Sequence, residues 1–267
     1  MRNKFIVALL VCATVMVSFN GCKKDGGFNF FTIEDDKNFG AQVEAEINSS
    51  GQYNILDRTT YASQYAYLEN IKQQILNSGQ VTHANDFTWK LYIIKDDATQ
   101  NAFCTPGGYI YVYTGLIKYL DNASSLAGVI GHEMAHADKR HSTQQLTAQY
   151  GFSLLVSVIA GTTGQDQLAQ IVGGLSSLAY SRDHEKEADK YSVIYLCPTQ
   201  YRADGAADFF QKIIDSGTPS PPAFLSTHPS PDNRVANIQA EKAERNCTGN
   251  PATTVEFNDY TAFKNSL

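Results

Sequence analysis

GVIGHEMAHADKRH, residues 128–141, contains two histidines four residues apart, with a glutamate directly after the first. On an α-helix, which turns by about 100° per residue, His132 and His136 project from one face, one turn apart. Two imidazoles in this arrangement can bind one zinc ion, and Glu133, beside that face, can take a proton from water on the metal. The flanking residues are apolar, which predicts a buried helix, where uncoordinated histidines would be costly. The alternative is a core helix with two hydrogen-bonded histidines and an incidental glutamate, and the spacing favours the zinc site.

A catalytic zinc ion takes three protein ligands and keeps one position open, so a third ligand is required. If the helix continues, His141 faces about 140° away from the second histidine, which excludes it as the ligand. The segment SRDHEKEADK, residues 181–190, places Glu185 and Asp189 on one helix face, while Glu187 lies about 200° around from Glu185. One carboxylate could bind zinc and the other could orient a histidine ligand. Spacing alone does not distinguish this arrangement from a solvated acidic helix.

The remaining pattern predicts a mainly helical chain with a small sheet. GGYIYVYTG, residues 107–115, alternates tyrosines with aliphatic residues, as in a strand with one face on a core. The apolar run at 152–161 is too short to span a membrane and indicates a buried helix or part of a helical hairpin. Helices are predicted at 32–47, 63–79, 124–150 and 168–196, with a break or close-packing point at Gly173 and Gly174 in the last of these. Strands are predicted at 87–96 and 107–115, and a proline-bounded loop entering a last helix at 226–246.

The N-terminus has the layout of a secretory signal. Arg2 and Lys4 precede an apolar run at 5–17, which is shorter than the roughly 20 residues of a spanning helix. The run leads to Gly-Cys at 21–22 and resembles a bacterial lipoprotein signal, in which Cys22 becomes the lipidated first residue. An ordinary cleaved signal with an incidental cysteine is the alternative. We therefore expect a signal peptide at 1–21, a tether at 22–31 and a single domain at 32–267, anchored by lipid at the periplasmic or outer-membrane side of a bacterial cell envelope.

Net charge and cysteine content limit the kinds of protein that this chain can be. A formal net charge of −6 and a pI near 5.5 argue against a nucleic-acid-binding protein. Export implies an oxidising compartment, where Cys197 and Cys247 could form a disulfide or remain two buried thiols. Cys104 raises a cysteine-protease alternative, but it has no suitable local signature or evident partner, so a small buried residue is the better interpretation.

HEMAH at 132–136, followed by SRDHEKEAD at 181–189, is similar to the M48 family of zinc peptidases, whose pattern is HExxH followed by SRxxExxAD. The resemblance extends over most of the mature chain, through TIEDDKNFGAQVEAEI at 32–47, NAFCTPGGYIYVYTGLI at 101–117 and STHPSPDNR at 226–234. It implies an α+β, zincin-like fold: a small sheet and the HExxH helix, capped by a mainly helical C-terminal part.

The resemblance also implies the roles of the site residues. His132, His136 and Glu185 bind one zinc ion per chain, Glu133 is the general base, and Asp189 orients a ligand. His228, in the THP segment, comes close to the zinc ion, where it either stabilises the oxyanion or caps the metal in a resting state.

Two further parts of the site are expected around these residues. Arg234 could anchor the His228 loop to a carboxylate, for which Asp189 is a candidate. The 107–115 strand would be the docking edge for an extended peptide, bound by main-chain hydrogen bonds, although its tyrosines could equally pack against other elements. The residues expected at this edge are Gly108, Tyr109, Ile110 and Tyr111.

The expected function is a zinc-dependent endopeptidase of the cell envelope, acting on unfolded or extended polypeptides such as misfolded or unassembled envelope proteins. One alternative is an envelope chaperone or assembly factor whose zinc site is latched by His228. The other is a structural lipoprotein with a stabilising zinc ion, but such a protein would not need Glu133. The oligomeric state is left open.

Overall fold

The computed structural model describes residues 28–175, 177–217, 222–230, 232–248 and 254–267, with only the backbone of 254–258. The expected signal peptide at 1–21, the lipidation site Cys22 and most of the tether lie outside the described residues. Among the described helices, none combines the length and the hydrophobicity needed to cross a bilayer.

Two helices precede the sheet, α1 (Ile33–Ser49) and α2 (Ala62–Leu76). Helix α1 begins where the sequence predicts, because the Thr32 hydroxyl accepts from the Asp35 amide while the Asp35 carboxylate accepts from the Thr32 amide. Its buried face carries Phe39 and Val43, which pack against one side of the sheet.

The sheet has three strands, β1 (Lys90–Ile94), β2 (Ala102–Thr105) and β3 (Tyr109–Tyr113), in the order β1-β3-β2. Strand β3 is parallel to β1 and antiparallel to β2. The predicted alternation is present, but both faces of β3 are buried rather than one. Ile110 belongs to a large cluster shared with the later helices, whereas Tyr111 stacks between the rings of Tyr92 and Phe103, with centroids 5.0 and 4.7 Å away.

The short helix α3 (Thr114–Tyr119) leads to α4 (Ala123–Asp138), which carries HEMAH and is buried along its whole length. The single helix expected at 124–150 is wrong, because the chain breaks after Asp138 and Arg140 adopts a left-handed conformation, with φ 64°. Arg140 is held there by bonds to the Asp36 carboxylate and the Phe31 carbonyl. Helices α5 (His141–Gln149), α6 (Phe152–Ile159), α7 (Gln165–Leu175) and α8 (Arg182–Leu196) follow. The helical pattern expected at 168–196 is divided after Leu175, close to the break expected at Gly173 and Gly174.

The C-terminal part consists of α9 (Gly205–Ser216), α10 (Phe224–Thr227), α11 (Arg234–Glu244) and α12 (Thr254–Asn265). Helices α8 and α9 pack against α4, so the HEMAH helix lies between the sheet and the C-terminal helices. A disulfide joins Cys197, at the end of α8, to Cys247, beyond α11. This architecture confirms the expected α+β, zincin-like fold with a small sheet and a mainly helical C-terminal part.

Candidate metal centre

Three elements bring four potential metal ligands together. His132 and His136 come from α4, Glu185 from the first turn of α8, and His228 from the residue that follows α10. One ligand atom from each of the four lies within 4.8 Å of all the others, and all four side chains are buried. The three residues expected to bind zinc are therefore adjacent, with His228 beside them.

The separations between these atoms suit a tetrahedral ion. His136 Nε2 is 2.9 Å from His132 Nε2 and 3.2 Å from Glu185 Oε1, and His132 Nε2 is 3.4 Å from Glu185 Oε2. A tetrahedral zinc ion with bonds of about 2.0–2.1 Å places its ligand atoms about 3.3 Å apart. Two imidazoles and a carboxylate at these separations fit a single metal ion.

Glu133 lies beside the donor atoms and is completely buried. Neither of its carboxylate oxygens has a hydrogen-bond partner among the described residues, and Oε1 is 3.3 Å from His228 Nε2. Burial raises the pKa of Glu133, although His228 and His132 oppose the rise. A buried carboxylate without partners is costly, which indicates that its partner is a group the site receives.

Asp189 and Arg234 lie behind the first histidine. Asp189 Oδ1 is 3.0 Å from His132 Nδ1, the ring nitrogen that faces away from the donor cluster. Arg234 donates to the same carboxylate oxygen at 2.7 Å and lies 2.9 Å from Glu185 Oε2. The structure thus brings together the two residues that the sequence suggests as a pair, and it places them where they can orient His132 and Glu185.

His141 has a position that sequence reasoning missed. It is not one of the four potential ligands, as expected. Its side chain does not face away from His136, however, because α4 ends at Asp138 and the helix does not continue to residue 141. Its Nδ1 lies 2.9 Å from His136 Nδ1, and its Nε2 lies 3.2 Å from Glu187 Oε2. No glycine or proline marks the break in the sequence, so periodicity could not have found this contact.

The expectation for the substrate strand is wrong. Strand β3, with Tyr109, Ile110 and Tyr111, is the central strand and pairs with neighbours on both sides, so it has no edge for a peptide. Gly108 lies in the turn that precedes this strand. The edge near the site belongs to β2, which pairs only with β3 among the described strands. The tyrosines pack in the core, as the alternative interpretation held.

Cys104, on β2, is a free buried thiol 3.8 Å from the Tyr180 hydroxyl. Burial raises the pKa of this thiol well above its usual value. Since the thiolate is the nucleophilic form, this environment argues against a cysteine protease.

Comparison with known proteins gives a consistent result. The family model for peptidase family M48 matches residues 62–242, more than half of the chain. The chain is 29% identical over 187 residues to the putative beta-barrel assembly-enhancing protease of Vibrio cholerae, covering 64% of this chain and 37% of the relative.

Two mitochondrial relatives are also similar. The metalloendopeptidase OMA1 of Arabidopsis thaliana is 31% identical over 165 residues, which cover 60% of this chain and 34% of the relative. OMA1 of Schizosaccharomyces pombe is 27% identical over 217 residues, which cover 79% and 62%. The chain therefore spans about a third of the length of the first two relatives. The matched residues include HEMAH, SRDHEKEAD and STHPSPDNR, the segments that build the metal centre. The chain therefore belongs to peptidase family M48.

Proposed function

We propose that the metal is zinc and that the chain is a zinc-dependent endopeptidase. The observation that carries the proposal is the convergence of two imidazoles and a carboxylate beside Glu133, whose oxygens lack partners among the described residues. Two histidines and a glutamate are a donor set of catalytic zinc sites, which keep one position open. His132, His136 and Glu185 hold the ion, one per chain.

The residues around the ion supply the proton transfer and hold the ligands in place. When bound, zinc supplies Lewis-acid chemistry, polarising a peptide carbonyl and making water more acidic. Glu133 accepts the proton of the attacking water on a carboxylate oxygen and returns it to the leaving amine. Asp189 accepts a hydrogen bond from His132 Nδ1, and Arg234 holds that carboxylate in place.

The site is closed in this structure, and we infer that His228 caps it. His228 Nδ1 lies among the donor atoms, 3.3 Å from His132 Nε2 and 3.0 Å from Glu185 Oε1. The segment 222–230 that carries it also donates from the Phe224 amide to the Gln100 carbonyl, at the start of the β2 region. Movement of this segment uncovers both the metal centre and the β2 edge, along which an extended peptide can pair.

The same closure supports a second candidate function. With His228 in contact with Glu185 and 3.3 Å from Glu133, the chain could act mainly as an envelope chaperone or assembly factor that rarely cleaves. Glu133 distinguishes the two functions, because proteolysis requires it and a chaperone does not.

We further propose where the chain acts and on what. The N-terminal pattern supports export and lipidation of Cys22, with a tether at 22–31 and one peptidase domain at 32–267. Relatives named as beta-barrel assembly-enhancing proteases occur in Vibrio cholerae and Escherichia coli. By analogy with those names, the substrates are misfolded or unassembled proteins of the bacterial envelope, recognised as extended polypeptides.

The experiment that tests this function measures zinc content and casein cleavage of the purified chain and of Glu133→Gln. We expect one zinc ion in both proteins and cleavage only by the parent, since glutamine keeps the shape but cannot accept the proton. A parent without zinc, or a Glu133→Gln variant that cleaves like the parent, contradicts the proposal. Complementation in cells separates the second function, because a chaperone keeps its biological activity in Glu133→Gln.

A further inference from the structure

The two metal-binding histidines are supported in different ways on their outer sides. His132 faces the Asp189 carboxylate directly, at 3.0 Å. His136 faces a second imidazole instead, since its Nδ1 is 2.9 Å from Nδ1 of His141. His141 is completely buried, and its other nitrogen lies 3.2 Å from Glu187 Oε2. A row of three side chains therefore runs from the metal centre to the surface, where the Glu187 side chain is 25% exposed.

Hydrogen-bonding rules allow one proton arrangement along this row when the metal is bound. A ligating Nε2 of His136 must present its lone pair, so the ring proton lies on Nδ1 and points at His141. His141 must then accept at Nδ1, which places its own proton on Nε2, facing the Glu187 carboxylate. Each donor meets one acceptor, and no group in the row is left without a partner.

We propose that His141 is a positioning residue that, with Glu187, holds His136 in the tautomer and orientation needed to bind the metal. The inference rests on the proposed zinc site. Histidine ligands of metals commonly donate their other ring N–H to a carboxylate or carbonyl that fixes the ring. Here the chain places a neutral imidazole between ligand and carboxylate.

The surrounding contacts fix the rings of the row. The left-handed turn at Arg140 brings His141 back over the end of α4, directly behind His136. His184 stacks on His141, with centroids 4.3 Å apart and planes at 12°, and Tyr180 stacks on His136 at 3.9 Å and 21°. A flip of either ring about its Cβ–Cγ bond, which would put carbon atoms in the places of the nitrogens, therefore requires these stacks to open.

Helix α8 contributes two glutamates to the metal centre and its surroundings. Glu185 reaches the donor cluster, while Glu187 faces the outer nitrogen of His141. Glu187 lies about 200° around the helix from Glu185, so helical spacing alone predicts that it points away from the site. The left-handed turn at Arg140 brings His141 to the side of α8 that carries Glu187. Glu187 therefore contacts the row although it does not share a helix face with Glu185.

The test compares two replacements of His141 in the complete chain, asparagine and leucine, whose side chains are isosteric with each other. Asparagine keeps an acceptor oxygen at the place of Nδ1, whereas leucine has the same shape without an acceptor. We expect His141→Leu to weaken zinc binding by about 10- to 100-fold, measured by competition with a chromophoric chelator. We expect His141→Asn to remain within about threefold of the parent. Asp183→Asn, a change on α8 at a side chain that is 93% exposed, is the control and leaves the affinity unchanged.

Two further measurements keep the inference testable if His141→Leu does not fold. Glu187→Leu removes the end of the row at a partly exposed position, and we expect zinc binding weaker than in the matched Glu187→Gln, which keeps an acceptor oxygen. Nitrogen-15 spectra of the zinc-loaded parent, with six histidines to assign, should show the His136 proton on Nδ1 and the His141 proton on Nε2.

The outcomes separate this inference from the proposed function. Equal zinc affinity in the parent, His141→Leu and His141→Asn, or a His141 proton found on Nδ1, overturns the positioning role and leaves the zinc site intact. A parent that binds no zinc overturns the proposed function itself, and this inference with it.

Discussion

His228 is the residue that we propose as the cap of the metal centre. Its Nδ1 lies 3.0 Å from Glu185 Oε1 and its Nε2 lies 3.3 Å from Glu133 Oε1, so one imidazole contacts a metal ligand and approaches the proposed base. Its ring also stacks on Phe224, with centroids 4.0 Å apart, which ties the cap to α10. Under this proposal, a substrate displaces the ring before its carbonyl reaches the ion.

We therefore predict that His228→Ala cleaves casein faster than the parent. Removing contacts with a net worth of about 1 kcal/mol favours the open state by about fivefold, and the rate should rise by a similar factor. The measurement is casein cleavage at equal zinc content, with His228→Ala/Glu133→Gln as the inactive control. A lower rate with zinc retained would instead assign His228 to stabilising the oxyanion.

Residue-scale prediction works where the chemistry is local. His132, Glu133 and His136 follow from one helical turn of sequence, whereas Glu185 remains ambiguous until a family pattern is considered. His141 could not be predicted, because its place depends on Arg140, whose conformation is held by Asp36, 104 residues earlier in the chain. A contact between such distant residues leaves no trace in local periodicity.

At the scale of elements, α4 and α9 cross so closely that two glycines are required. A Cβ on Gly128 would lie 2.1 Å from the Ala206 amide nitrogen, and a Cβ on Gly205 would lie 1.9 Å from the Ser124 carbonyl oxygen. Backbone atoms cannot rotate away as a side chain can, so a Cβ at either position would force the two helices apart.

We predict that Gly128→Ala lowers the free energy of unfolding by about 3 kcal/mol or more, since overpacking of this kind moves backbone. Gly131→Ala in the same helix is the matched control, because its Cβ would lie 3.6 Å from the nearest atom, in ordinary contact. We expect it to be neutral or to stabilise by up to about 1 kcal/mol, through helix propensity. Thermal unfolding measures both variants, and equal melting temperatures would contradict the close crossing.

The sheet shows what alternation in a sequence can and cannot predict. The pattern in residues 109–113 correctly separates the tyrosine face from the aliphatic face, because side chains alternate along any strand. It carries no information about lateral neighbours, and β2, a four-residue strand within NAFCT, was not predicted. The insertion of β3 between β1 and β2 removed the edge expected for substrate.

At the scale of the whole molecule, the Cys197–Cys247 disulfide joins residues 50 positions apart and encloses α9, α10 and the whole of α11. It therefore confines the part of the chain that carries His228 and Arg234. The sequence suggested this pair through its flanking positions but could not exclude two free thiols, because pairing depends on distance in space.

We predict that replacing both cysteines by serine destabilises the protein by about 2–4 kcal/mol, through the greater freedom of the unfolded chain. The melting temperature should fall by about 5–15 °C. Reductant should lower the parent to the value of the double variant and leave the double variant unchanged. A parent that melts at the same temperature after its thiols are shown to be reduced would argue against a stabilising role.

The metal centre also joins distant parts of the molecule, since its proposed ligands come from α4 and α8, and His228 beside them comes from the residue after α10. A ligand that binds only the folded state stabilises it by about 2.7 kcal/mol at 100 times its Kd, so zinc should raise the melting temperature of the metal-free protein by about 5–10 °C.

Two buried glutamates in the same site distinguish ligand from base in this measurement. Glu185 lies among the donor atoms, so Glu185→Gln should lose most of the zinc-dependent rise in melting temperature. Glu133 is not one of the clustered donors, so Glu133→Gln should keep the full rise while losing cleavage. Both side chains are completely buried, and both substitutions conserve shape, so a difference between them reports on metal binding and not on packing. Equal rises in the two variants would mean that Glu185 does not bind the ion, and equal losses would place Glu133 among its ligands.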